Sequence, residues 1–164
     1  MLPVTLTEQQ RIDTAEALDE VTRLAFRQMA TLGPVSFSAL ATLSALDSSG
    51  PCRLTDLAGR EGISQPSMTA MVSRLERQGL AERRRDPSDG RIVLVAITGA
   101  GQDMLRRRRN ARSAFLSSLM GALDPAEQRA LANAAAALRH MTDPTAVPAA
   151  LDAAKQAVDQ HIEK

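Results

Sequence analysis

Gln65-Pro66-Ser67-Met68-Thr69-Ala70-Met71-Val72-Ser73-Arg74-Leu75-Glu76-Arg77-Gln78-Gly79 is the stretch on which the fold turns. It reads as a helix from Gln65 to Gln78, with Gly79 where a left-handed residue ends it. On a helical wheel Met68, Met71, Val72 and Leu75 form one stripe. Pro66, Thr69, Ala70, Ser73, Arg74 and Arg77 fall on the other side, with Gln65 and Ser67 at the N-terminal flank. Small side chains on an exposed face let a helix sink into a major groove ~12 Å wide, and Gln, Thr, Ser and Arg supply hydrogen bonds to base edges and phosphates. The first turn, Gln65 to Thr69, is expected to reach the bases, its free N–H groups suiting phosphate oxygens. Taken alone, the same helix also fits a solvated face on a scaffold.

Its neighbours narrow the choice. Upstream lie a short helix from Leu54 to about Glu61 and the turn Gly62-Ile63-Ser64. Downstream, Leu80–Arg84 and Arg91–Ile97 bracket the turn residues Asp86-Pro87-Ser88-Asp89-Gly90, and the run Ile92–Ile97 is β-branched, which predicts a hairpin. Helix, Gly-containing turn, helix and hairpin in that order make a winged helix-turn-helix. Arg83, Arg84, Arg85 and Arg91 surround the hairpin tip, with only Asp86 and Asp89 in sequence reach as partners. Such a tip can follow phosphates and insert an arginine into a narrow minor groove; the blander reading is a solvated charge run.

Further out, helical signals continue in both directions. Thr7 and Gln10 have capping-box spacing ahead of Leu18, Val21, Ala25 and Leu32, with Met29 beside them, and that stripe lasts to Gly33-Pro34. Ser36 or Ser38 caps a second helix carrying Leu40, Leu43 and Leu46, stopped by Asp47-Ser48-Ser49-Gly50-Pro51. Thr98 caps a long helix to about Leu123, and Asp124-Pro125 opens another to about Met141. After Asp143-Pro144, the residues Val147, Leu151, Ala154, Val158 and Ile162 predict a last helix over about 147–162. A winged lobe is too small to bury all these stripes, so they are assigned to a two-fold dimer interface. The expected architecture is mainly α: one domain over 1–164, with a winged helix-turn-helix lobe at 36–97 and a helical dimerisation lobe made of 7–32 and 98–164. Dimerisation would set two recognition helices roughly 34–36 Å apart.

Composition excludes much else. The chain has 164 residues, 44% apolar, with three Phe and neither Tyr nor Trp, so its core is built from Ala, Leu, Val and Met. Residues 1–52 hold three Arg against six acids, residues 53–91 eight against six, a shift toward a polyanionic partner. No apolar run approaches a membrane span of about 20 residues, and no export signal is read at Met1-Leu2-Pro3-Val4-Thr5, so a cytoplasmic protein is expected. His140 and His161 are the only histidines and Cys52 the only cysteine, so neither a metal site nor a nucleophilic triad can be assembled. Cys52 reads as a small loop or core residue, and Arg106–Arg109 as a solvated helical run. No cofactor and no enzymatic activity are expected.

Leu54-Thr55-Asp56-Leu57-Ala58, Ile63-Ser64-Gln65-Pro66-Ser67-Met68-Thr69, Leu75-Glu76-Arg77-Gln78-Gly79-Leu80, Asp86-Pro87-Ser88-Asp89-Gly90-Arg91 and Ile97-Thr98 with Gly101 resemble the MarR family of bacterial regulators. The resemblance implies a homodimeric regulator that binds a pseudo-palindromic operator, represses, and is released by a small apolar or anionic ligand. It makes Arg91 the minor-groove finger and Asp89 the residue that holds the wing in shape. The reactive first-helix Cys and Tyr partners of oxidant-sensing members are missing here. An effector pocket is placed beside Phe26, Met29 and Phe37. The alternative is a winged helix used only for dimerisation or protein contact, which predicts a recognition surface and wing without cations.

Overall fold

The computed structural model describes residues 5–30, 35–143, 145, 147, 148, 152–154, 156 and 158. The chain divides into two compact units, Met1–Leu116 and Ser117–Lys164. The first carries α1 (Glu8–Ala30), α2 (Phe37–Ser49), β1 (Cys52–Arg53), α3 (Leu54–Arg60), α4 (Gln65–Arg77), β2 (Ala81–Arg85), β3 (Val93–Ile97) and most of α5 (Gly99–Gly121). The second contains the end of α5 and α6 (Pro125–Met141). The strands form an antiparallel sheet in the order β1-β3-β2, so the fold is a mainly helical winged helix-turn-helix.

Local chemistry explains where the helices begin. Before α1, the Thr7 hydroxyl accepts the Gln10 N–H (3.2 Å) while Gln10 Oε1 accepts the Thr7 N–H (2.9 Å). Ser36, rather than Ser38, caps α2 by accepting the Ala39 N–H. Asp124 and Glu127 form a complete capping box on α6, with Pro125 in its first turn. The helix predicted over 147–162 falls largely outside the described residues.

The core of the first unit is aliphatic throughout. Leu43 and Leu46 of α2, Leu57 of α3, Met68, Val72 and Leu75 of α4 and Val95 of β3 are almost fully buried. Each such side chain contributes roughly 1.5–3 kcal/mol on leaving water. The α4 stripe therefore faces the core as the wheel predicts, although Met71 is only half-buried, its sulfur accepting the Thr42 hydroxyl (3.0 Å). Among the described residues of the predicted α1 stripe Ala25 alone is buried; Leu18 and Val21 stay exposed.

Two boundaries differ from the sequence reading. The hairpin strands are Ala81–Arg85 and Val93–Ile97, leaving Leu80 as a buried corner and Arg91 in the loop. Cys52, read as a small loop or core residue, forms with Arg53 a short strand paired to Val95 and Leu94. α5 is anchored at its start: Thr98 donates its N–H to the Leu80 carbonyl (3.1 Å) and its hydroxyl to the Gly79 carbonyl (2.6 Å), and accepts the Gly101 N–H (3.1 Å).

Candidate nucleic-acid interface

Both helices of the helix-turn-helix end on a left-handed glycine. Gly62 has φ 64°, and Ile63 donates back to the Ala58 carbonyl (3.1 Å); Gly79 has φ 70°, and Leu80 donates back to Leu75 (2.9 Å). These closures fix the angle at which α4 leaves α3 and at which the hairpin leaves α4.

The first turn of α4 is more self-satisfied than its sequence suggests. Ser64 Oγ accepts the Ser67 N–H (3.3 Å) and lies 2.8 Å from Ser67 Oγ. Proline has no N–H, so Gln65 carries the one first-turn N–H left without an acceptor among the described residues. The expected cluster of free N–H groups shrinks to that donor. Side chains thus carry the chemistry: Gln65, Pro66, Ser67, Thr69, Ala70, Arg74 and Arg77 are all exposed. Thr69 donates its hydroxyl to the Gln65 carbonyl (2.8 Å), which leaves its oxygen as an acceptor and its methyl on the surface. Ser73 is only half-exposed.

At the wing tip the two aspartates bind backbone rather than guanidinium groups. Asp86 Oδ1 accepts the Ser88 N–H (2.7 Å) and hydroxyl (2.6 Å). Asp89 Oδ1 accepts the Arg91 N–H (3.0 Å), and Ile92 closes the loop onto the Asp89 carbonyl (2.9 Å). The Ser88 hydrogen bonds, aided by the nearby Arg53 charge, hold the Asp86 carboxyl below its ordinary value. Arg84, Arg85 and Arg91 are exposed and form no ion pair among the described residues. Arg83 departs from the reading that grouped it with the free wing cations, because it pairs with Glu76 and donates to Ser73 Oγ (3.3 Å).

Sheet register separates Arg83 from Arg84; Arg85 shares the Arg83 face but stands opposite the exposed Val93, two residues nearer the tip. Residues directly opposite share a face. Arg83 stands opposite the buried Val95, on the face shared with Ala81 and Cys52; Arg84 and Arg53 flank Leu94 on the other. Arg53 is an exposed cation beside the wing that the sequence reading missed, because only its strand pairing places it there.

A separate groove of about 890 Å³ lies between α1, α2 and α5, lined among others by Phe26, Phe37, Leu40, Leu105, Arg109 and Arg112. Phe26 and Phe37 meet edge to face, with ring centroids 5.3 Å apart. The Met29 side chain lies outside what is described. The arginine run is therefore not uniformly solvated: Arg106 pairs with Asp103, whereas Arg108 and Arg109 turn to the groove. Spacing of three and four from Leu105 to Arg108, Arg109 and Arg112 was the available signal. Among the described residues no group of His, Cys, Asp and Glu could hold a metal, and no helix is long and apolar enough to cross a membrane.

A helix-turn-helix with a basic wing defines a DNA-binding transcription regulator. The MarR family model matches residues 33–93. An uncharacterized HTH-type transcriptional regulator of Mycobacterium bovis is 34% identical over 110 residues, covering 67% of this chain and 77% of that one. The solved structure of RV1404 from Mycobacterium tuberculosis is 26% identical with TM-score 0.65, covering 84% of this chain and 97% of that one. A mutant of S. aureus MepR, solved bound to an oligodeoxyribonucleotide, shares the fold at 16% identity and TM-score 0.61, covering 85% of this chain and all (100%) of that one. The chain belongs to the MarR family, whose members are transcriptional regulators and not enzymes.

Proposed function

We propose that the protein is a homodimeric repressor that binds a pseudo-palindromic operator and leaves it when a small apolar or anionic ligand binds. The observation that carries this is the pairing of a small, polar outer face on α4 with wing arginines that the fold leaves unpaired. Gln65, Ser67, Thr69 and Ala70 are the base-reading candidates; Arg74, Arg77, Arg84 and Arg85 are phosphate candidates, with Arg91 for the minor groove. Asp89 keeps the Arg91 backbone in place. The oligonucleotide held by the S. aureus protein of the same fold supports this use of the lobe.

Dimerisation is supported by apolar side chains that each unit leaves in water. Leu18, Val21 and Leu24 of α1, and Leu131, Leu138 and Met141 of α6, are all more than a third exposed. A second copy of the chain is the partner that symmetric operator binding requires. The groove, apolar at Phe26, Phe37 and Leu40 and cationic at Arg109 and Arg112, supports the effector reading. Selection of bound fragments from genomic DNA, followed by titration at several salt concentrations, tests the whole. Specific binding to a two-fold symmetric duplex with half-sites about 10 bp apart is expected. Equal affinity for symmetric and scrambled duplexes would refute it.

A further inference from the structure

The hairpin is tied to α4 at two levels. At its base Leu80 and Ala81 are buried, and Thr98 bonds to the carbonyls of Gly79 and Leu80. Further out along β2, Arg83 gives Nη1 to Glu76 Oε2 and Nη2 to Ser73 Oγ (3.3 Å). Glu76 and Ser73 stand three residues apart on one face of α4, so a single guanidinium spans both.

This pair differs in kind from the other ion pairs among the described residues. Arg11–Glu8, Arg23–Asp19 and Arg106–Asp103 each lie within one helix, with side chains 47% exposed or more. Arg83 and Glu76 belong to different elements, and their side chains are only 34% and 26% exposed. A pair partly sheltered from water in this way is screened less than a fully exposed one and fixes geometry between elements. Beyond Arg83 the hairpin has little other support: β1 pairs with β3 only at Val95 and Leu94, so at Arg85 and Val93 the sheet is two strands wide, and residues 86–92 form a loop. At about 3.4 Å per strand residue the tip stands on the order of 10–15 Å past Arg83, so a tilt of about 10° moves it about 2–3 Å, several times the range of a good hydrogen bond.

We propose that Arg83 is a positioning residue and touches no phosphate: with Glu76 and Ser73 it braces the wing against the recognition helix, so that both meet DNA as one preorganised body. This rests on the reading that the lobe grips DNA. The brace sets where the unpaired Arg91 stands relative to the outer face of α4, and hence the spacing between major-groove and minor-groove contacts.

The test compares Arg83→Gln, Glu76→Gln and the double variant on a duplex selected with the unaltered protein, in parallel with the free proteins. Arg83→Gln is expected to lose about tenfold in specific affinity, with the slope of log affinity against log salt kept, whereas a lost phosphate contact flattens that slope by about one. Glu76→Gln gives an opposite sign to the two explanations. Removing a carboxylate near DNA strengthens binding by electrostatics alone; loss of the brace weakens it. The double variant should lose no more than either single one, since both break the same link. In the free proteins, backbone amide relaxation should show the loop from Asp86 to Ile92 more mobile in both variants, with the α4 amides unchanged. A slope flattened by one in Arg83→Gln, tighter binding by Glu76→Gln, or a wing loop that does not loosen would each overturn the proposal. Absence of specific binding by the unaltered protein would instead sink the DNA reading, while the relaxation data still decide the brace.

Discussion

Replacing glycine by alanine inside a helix ordinarily stabilises it by up to about 1 kcal/mol, because alanine loses less backbone entropy on folding. At Gly101 the sign should reverse. A Cβ there would lie 2.3 Å from the Leu80 carbonyl oxygen, 2.7 Å from Ile97 Cγ1 and 3.2 Å from the Leu80 carbonyl carbon. The carbonyl cannot swing aside freely, since it accepts the Thr98 N–H at 3.1 Å. Restoring an ordinary contact requires the start of α5 to back away by about 1 Å, an overpacking cost of about 1–3 kcal/mol. Weakening the Thr98 bond adds about 1 kcal/mol. Set against the propensity gain, Gly101→Ala should destabilise by about 1–3 kcal/mol, lowering Tm by about 2–4 °C per kcal/mol in a chain of this size. Gly99→Ala, two residues earlier with no atom within 4 Å, is the control and should be neutral or slightly stabilising. Urea unfolding of both variants measures the difference. If Gly101→Ala proves as stable as Gly99→Ala, the packing of α5 onto the Leu80 corner is looser than described.

Arg91→Ala should weaken operator binding by about tenfold to a hundredfold and flatten its salt dependence by about one, with folding unchanged by circular dichroism; an unaltered slope would remove the wing tip from the interface. Thr69→Ala should shift sequence preference more than non-specific affinity, as read by competition between selected and random duplexes. Asp86 should titrate below its ordinary value near 3.8 in an NMR pH series. Its folded value is lowered, so its contribution to the wing is complete above the ordinary value and is lost as pH falls through the folded one; a midpoint above 3.8 would contradict the Ser88 bonds. Burial pushes the Cys52 thiol up against the opposing pull of Arg60, so alkylation near pH 8 should run slower than for free cysteine. Reaction at the free rate would argue against that half-buried setting.

What the sequence made legible was local. Capping at Thr7, Asp124 and Thr98, the glycine after α4, the stripe of Met68, Val72 and Leu75, and the turn residues at the wing all depend on neighbours within a few positions. β1 was not legible because two residues have no periodicity, and their partners Val95 and Leu94 lie some forty positions away. The separation of Arg83 from Arg84 depends on strand phase, and that of Arg83 from Arg85, on the same face, on position along the strand. Leu80 and Ala81 are both buried, so the pattern offers two phases, and only the pairing with β3 selects the one that turns Arg83 to Glu76. The groove depends on three helices meeting; spacing from Leu105 shows which arginines share its face, but not that a cavity lies there.

The edge-to-face rings of Phe26 and Phe37 border that groove in a chain that contains three Phe and no Tyr or Trp. Such a protein is nearly dark: it has almost no absorbance at the usual near-ultraviolet wavelength and no indole emission. Its concentration must therefore be measured at the peptide bond or by weighing, since a routine optical reading would report contaminants. The same darkness makes it a clean optical background. The spectrum of an aromatic effector could be followed on binding, free of overlap from its host. Phe37→Trp, at a position 68% exposed, would install a lone fluorophore at the rim of the groove, able to report occupancy in a single cuvette.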